Sequence, residues 1–132
     1  MNISGIVTQL ETVEGLSGKV VVGLPPETAS LANGPTVWIT DLAETAGANQ
    51  RINAPALQRI EARLGLVMGT ATLDDLIPLR DAVRDAIIDY LPESNGDPIS
   101  YRAGRMEFLD AGYTVWRDEY AYSFYFDHLE VP

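Results

Sequence analysis

Residues 99–126 read ISYRAGRMEFL, then DAG, then YTVWRDEYAYSFYF, and this stretch decides the fold. Aromatic and β-branched residues alternate with polar ones on both sides of Asp110-Ala111-Gly112, which is the pattern of a β-hairpin. On the second arm, Tyr120, Tyr122, Phe124 and Phe126 share one face, while Tyr113 and Val115 have the opposite phase. That change of phase predicts a bulge near Arg117 and Asp118.

Upstream of the hairpin, Leu76, Leu79, Val83, Ile87 and Tyr90 recur at helical spacing. Thr72 is placed to cap this helix, with Asp75 as the box partner and Asp74 favoured by the helix dipole, and Pro92 with Asn95-Gly96 stops it. Pro78 lies beyond the first turn and predicts a kink or a break. Further upstream, Ile60, Ala62, Leu64, Leu66 and Met68 alternate with Arg59, Glu61, Arg63, Gly65 and Val67, a half-buried strand with a charged outer face. Residues 41–55 have no periodicity and read as a long loop. Residues 36–40 and 19–24 are short β-branched runs that read as strands. Near the start, Ile3, Ile6, Val7, Leu10 and Val13 share one helical face, with Asn2 or Ser4 as its cap and Gly15 at its end. The order α, β, β, loop, β, α, β, β predicts an α+β fold: a single domain over residues 1–132, with a mostly antiparallel sheet and two helices packed on one face.

Composition narrows the function classes. The 132 residues include no cysteine, which excludes disulfide scaffolds, thiolate metal sites and cysteine nucleophiles. Nine Lys and Arg against 19 Asp and Glu give a net charge of −10, which repels nucleic acid and anionic membranes. The N-terminus lacks a basic signal-peptide region, and no apolar run approaches the roughly 20 residues of a membrane span, so the chain reads as made in the cytosol. Eight of the nine cations are Arg, a bias that favours forked contacts across protein interfaces.

Catalytic patterns are weak. His128, the single histidine, stands close to the C-terminus and reads as a surface or interface residue. Residues 15–20 resemble a phosphate loop only superficially, because Val13 and Val20 occupy positions that need Gly and Ser or Thr. Asp118-Glu119 with Asp127 and Glu130, or Asp74-Asp75, can be drawn as carboxylate pairs, but their spacing matches that of any acidic surface. Asp81, Asp85 and Asp89 form a like-charge row that reads as a solvated face or as a wall toward a basic partner. The aromatics of the last third come with three arginines against six acids, so a stacking platform for single strands lacks its cationic groove. Sheet core and an aromatic interface that includes Trp116 account for them better.

Three ordered stretches resemble a family of phage tail proteins, the tail terminators: residues 37–49, then Gln50-Arg51 with residues 58–68, then residues 76–87 followed by 101–105 and 115–120. Together they span roughly residues 37–122, and residues 52–57 are an insertion relative to the pattern. The resemblance implies a non-enzymatic virion assembly protein without cofactors, a homo-oligomeric ring of six that caps the tail tube, ends its polymerisation and joins it to the neck. Its implied partners are the tail tube protein and a neck or head-completion protein, with DNA passing through the lumen unbound and no membrane. It implies a location in the virion, at the tail end near the neck. A head-completion or neck connector protein is the alternative, followed by a small acidic enzyme or metal-binding module. In this frame Glu44, Thr45, Asn49, Gln50 and Arg51 form a mobile partner-binding loop, and Arg59, Arg63, Asp81, Asp85 and Trp116 contribute to the oligomer interface, with both arginines pointing away from the helices.

Overall fold

A computed structural model of the chain describes residues 1–25, 34–48, 57–108 and 114–127. Its elements run α1 (Ile3–Leu10), β1 (Val20–Val22), β2 (Thr36–Ala46), β3 (Leu57–Gly69), α2 (Leu73–Ile87), β4 (Ser100–Phe108) and β5 (Thr114–Asp127). The strands form one sheet in the order β1-β2-β3-β5-β4, with β1 parallel to β2 and every other pair antiparallel. This is the α+β architecture that the sequence pattern predicts.

Alternation along the strands builds the core. Val37 and Ile39 of β2, Ala62, Leu64, Leu66 and Met68 of β3, and Tyr120 and Tyr122 of β5 share one face. Leu76, Leu79, Val83 and Ile87 of α2 and Ile6 and Leu10 of α1 close over that face. Each fully buried Leu or Ile contributes about 1.5–3 kcal/mol, so truncating Leu66 or Leu76 to Ala is enough to endanger the fold. The Asn2 side chain caps α1 by accepting the Gly5 N–H at 3.0 Å. Gln9 then donates to the Ala86 carbonyl at 2.7 Å, which fastens α1 to the last turn of α2.

Several local expectations are corrected. Residues 41–46 are strand, so Glu44 and Thr45 stand in β2 and not in a loop. The ladder resumes there after a bulge between Thr40 and Ala43, with Asp41 at φ 53 absorbing the irregularity. Beyond Ile39, β2 has no β1 neighbour and, among the described residues, its last part pairs with β3 alone, where polar side chains belong. β5 pairs with β3 without a shift from Asp127 to Val115, and the bulge expected near Arg117 and Asp118 is absent. The irregular step lies instead in β4, between Tyr101 and Ala103. Val115 needs no change of phase, because Trp38, Val67 and Val115 are buried on the sheet face away from the helices.

α2 runs through Pro78 without a break. The Thr72 hydroxyl donates to the Asp75 carboxylate at 2.7 Å instead of accepting a helix amide. Asp89 lies past the end of α2 at φ 68, so only Asp81 and Asp85 of the aspartate row remain helical. Asp89 N–H and Ile99 N–H bond to the carbonyls of Ile99 and Tyr90, at 3.1 and 2.8 Å, and tie this turn to the start of β4.

Candidate functional site

The two faces of the β4–β5 ribbon carry two different charge clusters. On the helix side, Asp118 is completely buried. Trp116 Nε1 donates to its Oδ1 at 2.6 Å, and the Tyr120 hydroxyl donates to its Oδ2 at 2.9 Å. Arg84 of α2 brings Nη2 to 3.9 Å from the same carboxylate and lays its guanidinium 4.2 Å from the Tyr101 ring centroid. One turn earlier, Arg80 stacks over Trp116 at 4.6 Å. Tyr101 meets Tyr120 edge-on, with centroids 5.6 Å apart.

Gly104 makes this packing possible, since a Cβ there would overlap Asp118 Oδ1 and approach the Tyr101 hydroxyl and the Trp116 indole nitrogen. Burial and the adjacent Asp118 carboxylate push the Tyr120 hydroxyl well above its ordinary pKa. The cluster is therefore a brace between α2 and the β4–β5 pair.

The opposite face concentrates arginine. Arg117 donates from Nε to Glu107 and from Nη1 to Asp41, both at 2.8 Å. Arg63 and Arg102 approach Glu61 at 3.3 and 3.6 Å, and Arg105 approaches Glu107 at 3.9 Å. Arg59 pairs with Asp97 at 3.0 Å. Gly65 leaves room for Asp41, because a Cβ there would stand 3.0 Å from Asp41 Oδ2 and Thr40 Oγ1. The result is a shallow depression of about 490 Å³ bordered by Asp41, Arg63, Arg105, Arg117 and Glu119. The outward surface of the helix layer carries acids instead of such pairs: Glu14, Asp74, Asp75, Asp81, Asp85 and Asp89 are all exposed.

The predicted site residues separate accordingly. Arg59 and Arg63 are exposed and point away from the helices, as expected. Asp81 and Asp85 are exposed on α2, and Asp81 already accepts from Arg80 at 2.7 Å. Trp116 instead faces α2, with its N–H bound to Asp118 and its ring under Arg80. Glu44 lies on β2 and pairs with the Met1 ammonium at 3.0 Å, and Thr45 is opposite Glu61. Asn49, Gln50, Arg51, the Asp110–Gly112 turn and His128 lie outside the described residues. Asp118 and Glu119 point to opposite faces and do not form a carboxylate pair. Among the described residues no group of three or more His, Cys, Asp or Glu could hold a metal ion, and no helix is long and apolar enough to cross a membrane.

Sequence reasoning missed the Asp118 brace. Its signal was present: Trp116, Asp118 and Tyr120 at i, i+2 and i+4 share a strand face with the core. All of its members fall in the third stretch of the resemblance, residues 76–87, 101–105 and 115–120.

Comparison with known proteins follows the same line. A family model described as phage tail terminator protein matches residues 6–128. A chain from the solved structure described as the virion of a native gene transfer agent particle shares the fold, with a TM-score of 0.58 over 92% of each chain at 14% identity. No curated protein matches the chain.

Proposed function

The chain belongs to the phage tail terminator family, which makes it a phage structural protein, and from that premise we propose that it caps the finished tail tube. In this reading six copies close into a ring that stops polymerisation of the tube protein and offers its other side to the neck or head-completion protein. It does so without catalysis or cofactor, at the neck end of the virion, after synthesis in the host cytoplasm. The family match over residues 6–128 carries this reading.

The charge distribution supports it. A chain with a net charge of −10 lets DNA pass without sticking, and the exposed arginines of the sheet face supply contacts between proteins. Arg59 and Arg63 of one copy reach toward Asp81 and Asp85 of the next, and Glu44, Thr45, Asn49, Gln50 and Arg51 contact the tube or the neck. Exposed pairs of this kind contribute at most about 1 kcal/mol each, but every pair is repeated around a closed ring.

Adding the purified chain to polymerising tail tube protein tests the proposal. Tube growth should stop and tube ends should carry the chain. Tubes that lengthen at the same rate with the chain present would overturn it.

A further inference from the structure

The outer strands of the sheet are β1 and β4, and among the described residues neither has a strand on its far side. β1 is Val20, Val21 and Val22, with Val21 and Val22 about half exposed. β4 carries exposed Met106 and Phe108 and holds no proline. Apolar edges of this kind are templates for pairing with another chain.

Direction and register fit the two edges to each other. β1 is parallel to β2 and each later step across the sheet is antiparallel, so β4 runs opposite to β1. One row crosses all five strands through Val20, Val37, Met68, Trp116 and Met106, and a second through Val22, Ile39, Leu66, Asp118 and Gly104. Val37 N–H donates to Lys19 O at 3.0 Å and Gly23 N–H to Ile39 O at 2.9 Å, so residues 19, 21 and 23 aim their peptide groups at β2, and Val20 and Val22 aim theirs outward. At the other edge, Asp97 N–H donates to Ser123 O at 2.7 Å, so the odd residues of β5 face β4. Their partners Arg105 and Glu107 aim inward, and Gly104 and Met106 aim outward. The outward-aimed residues of both edges therefore share the same two rows.

Side chains match at that register. Val20 and Met106 both lie on the helix-side face. In the next row, on the opposite face, Lys19 comes level with Glu107. Lys19 is the only lysine of an acidic chain and forms no ion pair among the described residues. Past that row Phe108 approaches Gly18, where no atom lies within 4 Å of the place a Cβ would take.

We infer that β4 of one copy pairs antiparallel with β1 of a second copy of this chain, Met106 opposite Val20 and Gly104 opposite Val22, so that the sheet runs on from subunit to subunit. The two edges differ, so the contact is head to tail, as a closed ring requires. The inference rests on the ring reading above and revises one contact of it. A shared sheet keeps all helix layers on one side, which leaves Arg59 and Arg63 to the tube or the neck instead of to α2 of the next copy.

Val21→Cys and Arg105→Cys alter exposed positions in a chain without cysteine. In the inferred register they form a non-hydrogen-bonded pair with Cα atoms about 4.5 Å apart, within reach of a disulfide. Oxidation of the double variant, concentrated in solution and on tube ends, should give a ladder of linked species beyond the dimer. Val21→Cys with Ala103→Cys, two residues out of register, should lose the ladder. Met106→Pro removes an outward N–H but no bond to β5, and should raise the concentration needed for assembly about tenfold. Equal ladders from the two cysteine pairs would overturn the register. A Val21→Cys, Arg105→Cys variant that stays unlinked in solution and on tube ends, while the unaltered chain stops tube growth, would overturn the edge contact and leave the capping proposal standing. A ladder from a chain that fails to stop tube growth would support the edge contact and overturn the capping proposal instead.

Discussion

Arg117 and Asp118 are neighbours in sequence and opposites in environment. Asp118 lies fully buried under α2 and is held by a tryptophan, a tyrosine and the edge of an arginine. Arg117 lies on the other face between Glu107 and Asp41, and the Asp41 side chain is 63% exposed. The same pair of strands thus carries a charge that must be satisfied for the chain to fold and a charge that water can partly satisfy. The first kind shapes the subunit, and the second remains available to a partner.

Substitutions on the two faces should differ in size. Asp118→Ala removes the acceptor of two buried donors and strands Arg84, so it should lower stability by about 3–5 kcal/mol in urea unfolding. A loss under about 1 kcal/mol would mean that the brace is not what holds α2 to the hairpin. Gly104→Ala fills the space that Asp118 and Tyr101 occupy, for a cost of about 1–3 kcal/mol, and Asp118→Ala should relieve part of that cost in the double variant.

Alkali should act on the buried side as well. Burial holds the Tyr120 and Tyr122 hydroxyls above their ordinary value of 10.0, helped by Asp118 and Glu93 respectively, so the folded state keeps protons that the unfolded state releases. Their contribution is complete below pH 10 and is lost as pH rises beyond it. Tyr120→Phe should flatten the fall of the urea midpoint above that pH. An identical profile in the variant would show that Tyr120 is not the group being titrated. Smallest of all, Arg117→Met should cost about 1 kcal/mol at low salt and less at high salt.

The helices and the alternating strands were legible because their apolar spacing is strong: Leu76, Leu79, Val83 and Ile87 on α2, and Ala62 to Met68 on β3. The second half of β2 was not, since Asp41, Glu44 and Thr45 are polar and, among the described residues, the strand there has a neighbour on one side only. The hairpin misled on one point. A sheet with a single apolar face requires Val115 and Tyr120 to change phase, but this sheet buries residues on both faces. Asp118 read as one carboxylate among many: Trp116 and Tyr120 at i−2 and i+2 signal a shared strand face, but Arg80 and Arg84 of α2 reach it only through the fold. The gathering of five arginines with their carboxylate partners on one sheet face is likewise a property of the fold, visible only once the strands are paired.

Images of tail tube ends formed with the purified chain test the central claim most directly. The account predicts a closed ring of rotationally arranged copies on the tube end. Bare ends, or copies bound singly around the tube wall without touching one another, would contradict it.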